Sequence, residues 1–264
     1  MYAFDYQKPS DVGGAAAAMK AEGAMALSGG QTLIPTLKQR LNQPDTLVDL
    51  TGIAGMSGIS REGDNIVIGA ATVHRDVATN GDVQSAIPGL ASLASRIGDP
   101  QVRNKGTIGG SLANNDPAAC YPSAALALGA TIVTNAREIA ADDFFTVMYE
   151  TALAEDEIIT AVRFPIPSGS NYQKFEQPAS RFALTGVFVA QTASGVRVAV
   201  TGAAQQGVFR HAGMEAALSG SFSADAAAGV EVSADGMSND LHGTPAYRAN
   251  LVKVLTKRAV QEMG

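Results

Sequence analysis

Two glycine doublets flanked by small polar residues stand out in this sequence of 264 residues. The first is Ser28-Gly29-Gly30-Gln31-Thr32, and the second is Gly106-Thr107-Ile108-Gly109-Gly110-Ser111. Each joins an apolar segment to a candidate helix, where unpaired backbone N–H groups can converge on an anion. Taken alone, the first doublet is better explained by a tight turn that needs a positive φ. The second lacks bulky side chains and favours close approach to a pyrophosphate, so the pair predicts a ligand with two phosphates.

Other nucleotide-binding and catalytic motifs are missing from the sequence. It contains neither the G-x-G-x-x-G fingerprint of dinucleotide-binding Rossmann folds nor the Gly-Lys pair of a Walker A loop. The H-E-x-x-H motif of metalloproteases and the G-x-S-x-G elbow of hydrolases are also absent. We interpret His74 as a packing or surface residue rather than as a catalytic base.

Composition narrows the function classes further. The net charge of −6, with no basic run, argues against binding to nucleic acid or to an anionic membrane, and leaves backbone amides to hold any phosphate. One cysteine excludes an internal disulfide and cannot ligate an iron–sulfur cluster. No apolar run approaches the ~20 residues of a membrane span, and the N-terminus does not resemble a signal peptide, so we expect a cytoplasmic protein.

The elements that position the glycine segments follow from apolar periodicity and from capping residues. We predict helices at 10–20 (capped by Ser10), 33–41, 73–79, 90–97, 122–128 (stopped by Gly129), 214–218 and 247–263. We predict strands at 24–27, 46–50, 65–70, 130–134 and 158–164, and a hairpin of 183–192 with 196–201. Residues 165–171 are predicted to form a linker. The fold is therefore expected to be α+β, with a boundary near residue 168.

The segment from Ala26 to Pro35 resembles the first flavin loop of a known family, and the segment from Ile97 to Ala113 is similar to its second loop nearly residue for residue. Further matches follow in family order across the chain, at residues 115–119, 126–130, 143–145, 156–159 and 243–248. The family is that of the FAD-binding medium subunits of molybdenum hydroxylases, which includes the carbon monoxide dehydrogenase medium subunit and the xanthine dehydrogenase FAD-binding subunit.

This resemblance implies a fold and a cofactor site. The fold would be an α+β FAD-binding domain of the PCMH type (p-cresol methylhydroxylase type) in two subdomains, over residues 1–168. A small C-terminal domain of the carbon monoxide dehydrogenase flavoprotein type, with a short antiparallel sheet and helices, would cover residues 169–264. The implied FAD-binding residues are Leu27, Ser28, Gly29, Gly30, Gln31, Thr32, Leu33, Thr107, Ile108, Gly109, Gly110, Ser111, Asn114, Asp116, Cys120, Ile159 and Lys174.

Several of these residues have distinct implied roles. The two glycine segments would hold the pyrophosphate. Asn114 and Asp116 would contact the polar portion of FAD, and Ile159 would pack near the adenine or flavin edge. Lys174 lies roughly where a family lysine approaches the flavin, and the alternative is a solvated surface lysine. Cys120 replaces an acidic residue that contacts the ribityl chain in many relatives, so we favour packing for its thiol. Arg181 also stands where an acid is common.

The resemblance further implies an oxidoreductase subunit that transfers electrons. It would receive them from [2Fe–2S] clusters in a small partner subunit and pass them from FAD to an external acceptor. The organic substrate would react in a large molybdopterin subunit, within a dimer of heterotrimers. Two alternatives remain at this stage: a self-sufficient PCMH-type flavin oxidoreductase, and an assembly module without flavin.

Overall fold

A computed structural model describes all residues from Met1 to Gly264. Its helices are α1 (Val12–Met19), α2 (Leu33–Lys38), α3 (His74–Thr79), α4 (Gly81–Ala86), α5 (Pro88–Ser95), α6 (Pro100–Arg103), α7 (Ile108–Asn114), α8 (Tyr121–Leu128), α9 (Ala141–Phe144), α10 (Ala212–Gly220), α11 (Ala224–Gly229) and α12 (Pro245–Met263). Its strands are β1 (Asp5–Gln7), β2 (Ala24–Leu27), β3 (Thr46–Asp49), β4 (Ile59–Glu62), β5 (Asn65–Gly69), β6 (Thr131–Thr134), β7 (Glu138–Ala140), β8 (Phe145–Val147), β9 (Glu150–Thr151), β10 (Ile159–Pro165), β11 (Gly169–Glu176), β12 (Ala183–Thr192), β13 (Gly195–Thr201) and β14 (Phe209–Arg210).

Two sheets carry the glycine segments. A small parallel sheet has the order β1-β3-β2, and the first glycine segment leaves the end of β2 toward α2. A second sheet, antiparallel, has the order β4-β5-β10-β6-β7. Helix α7, which contains the second glycine doublet, packs against β10 of this sheet. The two segments therefore come from different sheets and must meet through tertiary contacts.

The third sheet, β11-β12-β13-β14, is antiparallel and buried on both faces. Helices α5 and α8 pack against one face, and helices α10 and α12 pack against the other. Alternate residues of β12 divide accordingly: Phe188 belongs to the main core, whereas Val187 and Val189 belong to a second core. This alternation joins the C-terminal sheet to the preceding part of the chain through a shared core.

Most predicted elements are confirmed, and so is the α+β class. Strand β2 has the predicted bounds, and β12 with β13 forms the predicted hairpin. Gly129 ends α8 in the left-handed conformation (φ 64°), which glycine adopts without the steric cost of a Cβ atom. No helix combines the length and the apolar composition that a bilayer crossing requires.

Three local predictions were wrong. The first helix is capped by Asp11, whose carboxylate accepts from the Gly14 N–H at 2.8 Å, and not by Ser10. Helix α2 ends at Lys38 instead of reaching Leu41, because Arg40 adopts a positive φ of 60°. The predicted linker at 165–171 is mostly strand, since β10 runs through Pro165 and β11 pairs with β12 from Gly169 onward.

Candidate functional site

The first glycine segment forms the turn between β2 and α2. None of the backbone N–H groups from Ser28 to Thr32 has an acceptor within the protein. Gly30 has a φ of +67°, as a tight turn requires. Leu27 and Leu33 flank the turn and are each partly buried, while Gln31 and Thr32 are exposed. Because backbone N–H groups need acceptors, this row of free donors is suited to an anionic group.

The second glycine segment differs from this pattern. Thr107 caps α7, with its hydroxyl accepting from the Gly110 N–H at 3.2 Å and its carbonyl accepting from the Ser111 N–H at 3.0 Å. The N–H groups of Ile108 and Gly109 donate to Thr72 O and Ala70 O at 3.1 and 2.8 Å. The predicted bare N–H groups are thus present in the first segment, whereas those of residues 108–111 already have protein acceptors.

The structure brings the two glycine segments into direct contact. The hydroxyls of Ser28 and Thr107 share a hydrogen bond of 2.9 Å, although 79 positions separate them in the sequence. A Cβ atom on Gly29 would lie 2.2 Å from Lys105 O and 2.7 Å from the Cα of Gly106. Gly29 is therefore required for close backbone packing, and the second segment supports the first from behind.

His74 lies behind Gly106 and packs against it. A Cβ atom on Gly106 would come within 2.5 Å of the His74 Nε2 atom, and the His74 N–H donates to Gly106 O at 2.9 Å. Burial, reinforced by the positive charge of Arg103, lowers the pKa of His74 to about 4. The imidazole is therefore neutral at neutral pH and serves in packing. This agrees with the interpretation of His74 as a packing residue rather than a catalytic base.

The remaining predicted residues are distributed around α7 and the two cores. Asn114 ends α7, at the opposite end from Thr107, and is partly exposed, as is Asp116. Cys120 is buried in the main core at the start of α8, and Ile159 is 5% exposed at the start of β10. Packing thus accounts for the positions of Cys120 and Ile159 within the protein itself.

Lys174 is not the solvated lysine that the sequence left as an alternative. It is 6% exposed, its ammonium donates to Arg96 O at 2.8 Å, and no acidic side chain forms an ion pair with it. A buried charge is stable only when it is compensated. Within the protein, the Arg96 carbonyl is the hydrogen-bond acceptor of the Lys174 ammonium. The free N–H groups of Ser28–Thr32 suit an anionic cofactor such as FAD, and these residues fit that group.

Asn115 is a site residue that the sequence predictions passed over. It adopts the left-handed conformation (φ 42°) directly after α7, and its carboxamide donates to Val147 O and Glu150 O at 2.9 and 2.8 Å. The backbone carbonyl of Asn115 accepts from the Tyr149 N–H at 3.1 Å, and the Tyr149 hydroxyl donates to Asp116 Oδ2 at 3.4 Å. Asn115 therefore fastens the β8–β9 hairpin to the segment that holds Asp116. In the sequence, this role is indicated by the residue type, because asparagine tolerates the left-handed conformation.

Replacing Asn115 with alanine is expected to destabilise the protein by about 2–3 kcal/mol, because two carbonyls lose buried donors and alanine is strained at this positive φ. The free energy of unfolding, measured by urea denaturation, checks this. The neighbouring Asn114→Ala variant is the matched control, since Asn114 makes no side-chain hydrogen bond and its replacement should change stability by less than about 0.5 kcal/mol. Equal stability of the two variants would contradict the role given to Asn115.

Comparison with known proteins bears directly on this site. Residues 2–167 match the family described as "FAD binding domain in molybdopterin dehydrogenase". The chain is 37% identical to the carbon monoxide dehydrogenase medium chain of Hydrogenophaga pseudoflava, over 78% of this chain and 77% of that protein. It is 34% identical to the nicotine 6-hydroxylase medium subunit of Paenarthrobacter nicotinovorans, over 92% and 90% of the two chains.

Solved structures extend the similarity to the complete fold. Carbon monoxide dehydrogenase from Hydrogenophaga pseudoflava superimposes with a TM-score of 0.90 and 34% identity, covering 99% of this chain and 97% of that one. Quinoline 2-oxidoreductase from Pseudomonas putida 86 gives a TM-score of 0.88 at 27% identity, covering 99% and 97%. The family implied by the glycine segments is thus confirmed, and the chain belongs to the FAD-binding medium subunits of the molybdenum hydroxylase-type dehydrogenases, in which it is an oxidoreductase subunit with FAD as its cofactor.

Proposed function

We propose that the turn Ser28–Thr32 holds the diphosphate of FAD through its free backbone N–H groups. This row of donors is the observation that carries the proposal, because it lets a chain of net charge −6 bind an anion without a cluster of basic side chains. The segment Thr107–Ser111 braces that turn and borders the cofactor. Leu27, Leu33 and Ile159 contribute apolar contacts, and Asn114, Asp116, Cys120 and Lys174 surround the remaining parts of FAD.

We also propose a division of the chain into two functional parts. Residues 1–168 form the PCMH-type FAD-binding domain, and residues 169–264 form a C-terminal domain that supplies Lys174. The match of the family to residues 2–167 supports this boundary. The shared core across Phe188 and α8 keeps the second part packed against the first.

FAD, when bound, supplies the redox chemistry of the subunit, while the protein binds and orients it. We propose that the chain takes electrons from [2Fe–2S] clusters of a small partner subunit and delivers them to an external acceptor. A large molybdopterin subunit would oxidise the organic substrate, and the assembly would be a dimer of heterotrimers. The names of the relatives support this, since they are medium chains or subunits of larger enzymes. The single cysteine of these 264 residues cannot ligate a cluster, which supports the proposal that the clusters belong to another subunit.

Three measurements test this function. The purified chain, reconstituted with FAD, should retain about one equivalent and show flavin absorption, because one FAD site is proposed. The FAD-loaded chain alone should not oxidise nicotine, xanthine or carbon monoxide with an artificial electron acceptor. The tagged chain, purified from its source organism, should bring an iron–sulfur subunit and a molybdenum subunit with it. Failure to bind FAD would instead support a flavin-free assembly module, and turnover by the isolated chain would support a self-sufficient oxidoreductase.

A further inference from the structure

Helix α10 begins at a histidine that caps it. The Nδ1 atom of His211 accepts from the Met214 N–H at 3.2 Å, and the His211 carbonyl accepts from the Glu215 N–H at 3.1 Å. Nδ1 can accept only when the imidazole is neutral with its proton on Nε2, because a protonated imidazole has two N–H donors and no acceptor. The other side-chain caps of the protein are aspartate, asparagine, serine or threonine. His211 is therefore the cap whose hydrogen bond depends on pH near neutrality.

The first turn of α10 also carries Glu215, which binds two neighbouring strands. Its Oε1 atom accepts from the Val198 N–H of β13 at 3.0 Å and from Arg210 Nε at 2.9 Å. Arg210, on β14, donates a second time, from Nη2 to Oε2 at 2.7 Å. The position of Glu215 is set by the turn that His211 caps, so these three hydrogen bonds depend on that turn.

Two arginines connect this network to residues 1–168. Arg197 donates from Nη2 to Asp142 Oδ1 at 2.6 Å, and Arg210 Nη1 lies 3.5 Å from the same oxygen. Asp142 belongs to α9, whereas both arginines belong to the C-terminal sheet. The Arg197 side chain is 13% exposed, and its Nε atom has no acceptor, so it depends on Asp142 for its ion pair. We call Asp142, Arg197, Arg210 and Glu215 the interdomain cluster.

Charged groups face His211 from three elements. Glu215 lies on α10, Arg210 lies on β14, and Asp235 borders the same cavity from the segment after α11. The imidazole packs beside the Phe209 ring, with 6.4 Å between the centroids. Burial lowers the pKa of His211 below its ordinary value of 6.5, and the Glu215 carboxylate opposes this shift. The stabilisation by the neutral cap is therefore complete above pH 6.5 and is lost as the pH falls below that value.

We propose that His211 is a pH-sensitive cap that controls the interdomain cluster: protonation of its imidazole removes the acceptor of the Met214 N–H, frays the first turn of α10 and displaces Glu215. Arg210 then loses the carboxylate that holds it beside Asp142. The two parts of the chain are thus coupled tightly at neutral pH and more loosely in acid. The switch exchanges only a proton with solvent, so this inference is independent of the proposed FAD site.

Amide hydrogen exchange of the full chain, followed by NMR at pH 7.5 and at pH 5, tests the cap. The protection factors of the Met214 and Val198 amides should fall about fivefold between these pH values, which corresponds to the ~1 kcal/mol of a helix cap. His211→Asn is the matched control, because asparagine caps helices without titrating, and its protection factors should change less than about twofold. An equal fall in His211→Asn would overturn the inference, and so would a fall at Met214 without one at Val198.

Asp142→Asn tests whether the cap acts on the other part of the chain. At pH 7.5 this change should raise the unfolding equilibrium constant about fivefold in the native background and only about twofold in a His211→Ala background. Asp143→Asn is the control and should leave the constant unchanged, because Asp143 is exposed and both arginines bind Asp142 instead. If His211→Ala folds poorly, the Asp142→Asn effect is compared between pH 7.5 and pH 5. Equal effects of Asp142→Asn with and without the cap would refute the coupling.

Discussion

Replacing Gly29 with alanine should weaken FAD binding by at least about 100-fold, which at 1.4 kcal/mol per tenfold corresponds to losing one or two hydrogen bonds to a charged group. The added Cβ atom would lie 2.2 Å from Lys105 O and 2.7 Å from the Cα of Gly106. Both are backbone atoms that cannot move aside as a flexible side chain can. The two segments must therefore separate, and the row of N–H groups from Ser28 to Thr32 loses its support.

Equilibrium titration with FAD, followed by flavin fluorescence, measures this effect. Gly81→Ala is the control, because Gly81 begins α4 and a Cβ atom there meets nothing within 4 Å. Circular dichroism and thermal unfolding show whether the Gly29 variant is folded, and overpacking should lower its stability by about 1–3 kcal/mol. A folded Gly29→Ala protein that bound FAD as tightly as the Gly81 control would contradict the proposed role of this contact.

Replacing Glu157 with glutamine should lower the free energy of unfolding by about 2–3 kcal/mol at pH 7. The side chain is almost fully buried, at 3% exposure, and forms an ion pair of 3.0 Å with Arg137. The pKa of Glu157 is lowered to about 2, and the hydrogen bonds from Arg137 are the largest cause. The Ala154 N–H and the Thr134 hydroxyl also lower this pKa, whereas burial raises it. These bonds close the turn that precedes Ile158 and Ile159.

The pH dependence of this variant follows from the depressed pKa. An ionised Glu157 gives its full stabilisation above the ordinary glutamate pKa of 4.5, and that stabilisation disappears as the pH falls from there toward 2. The difference in unfolding free energy between the native protein and Glu157→Gln should therefore shrink over this range. Glu138→Gln is the control. Glu138 pairs with Arg163 on the surface, so its replacement should change the free energy of unfolding little. A difference that stayed constant from pH 7 to pH 2.5 would refute this account.

Local sequence signals predicted most of the elements correctly. Apolar runs bounded by glycine, such as Ala24–Leu27 before Gly29 and the helix that Gly129 ends, carry their own stop signals. The predicted linker was wrong because Pro165 and Gly169 are loop-forming residues that here sit at strand ends. Their pairing partners, Asn65 and Gln191, lie far away in the sequence. Strand pairing at such distances leaves no trace in a local window.

The sequence by itself determined the family and the class of cofactor, because both depend on a contiguous pattern of small residues around two glycine doublets. Only the tertiary structure decided which of the two segments offers free N–H groups. The donors of Ile108 and Gly109 are taken by Thr72 and Ala70 on a neighbouring segment, whereas Ser28–Thr32 has no such neighbour. Burial of Lys174 beneath Arg96 was likewise decided by packing between α5 and β11, since the chemistry of a lysine depends on what surrounds it.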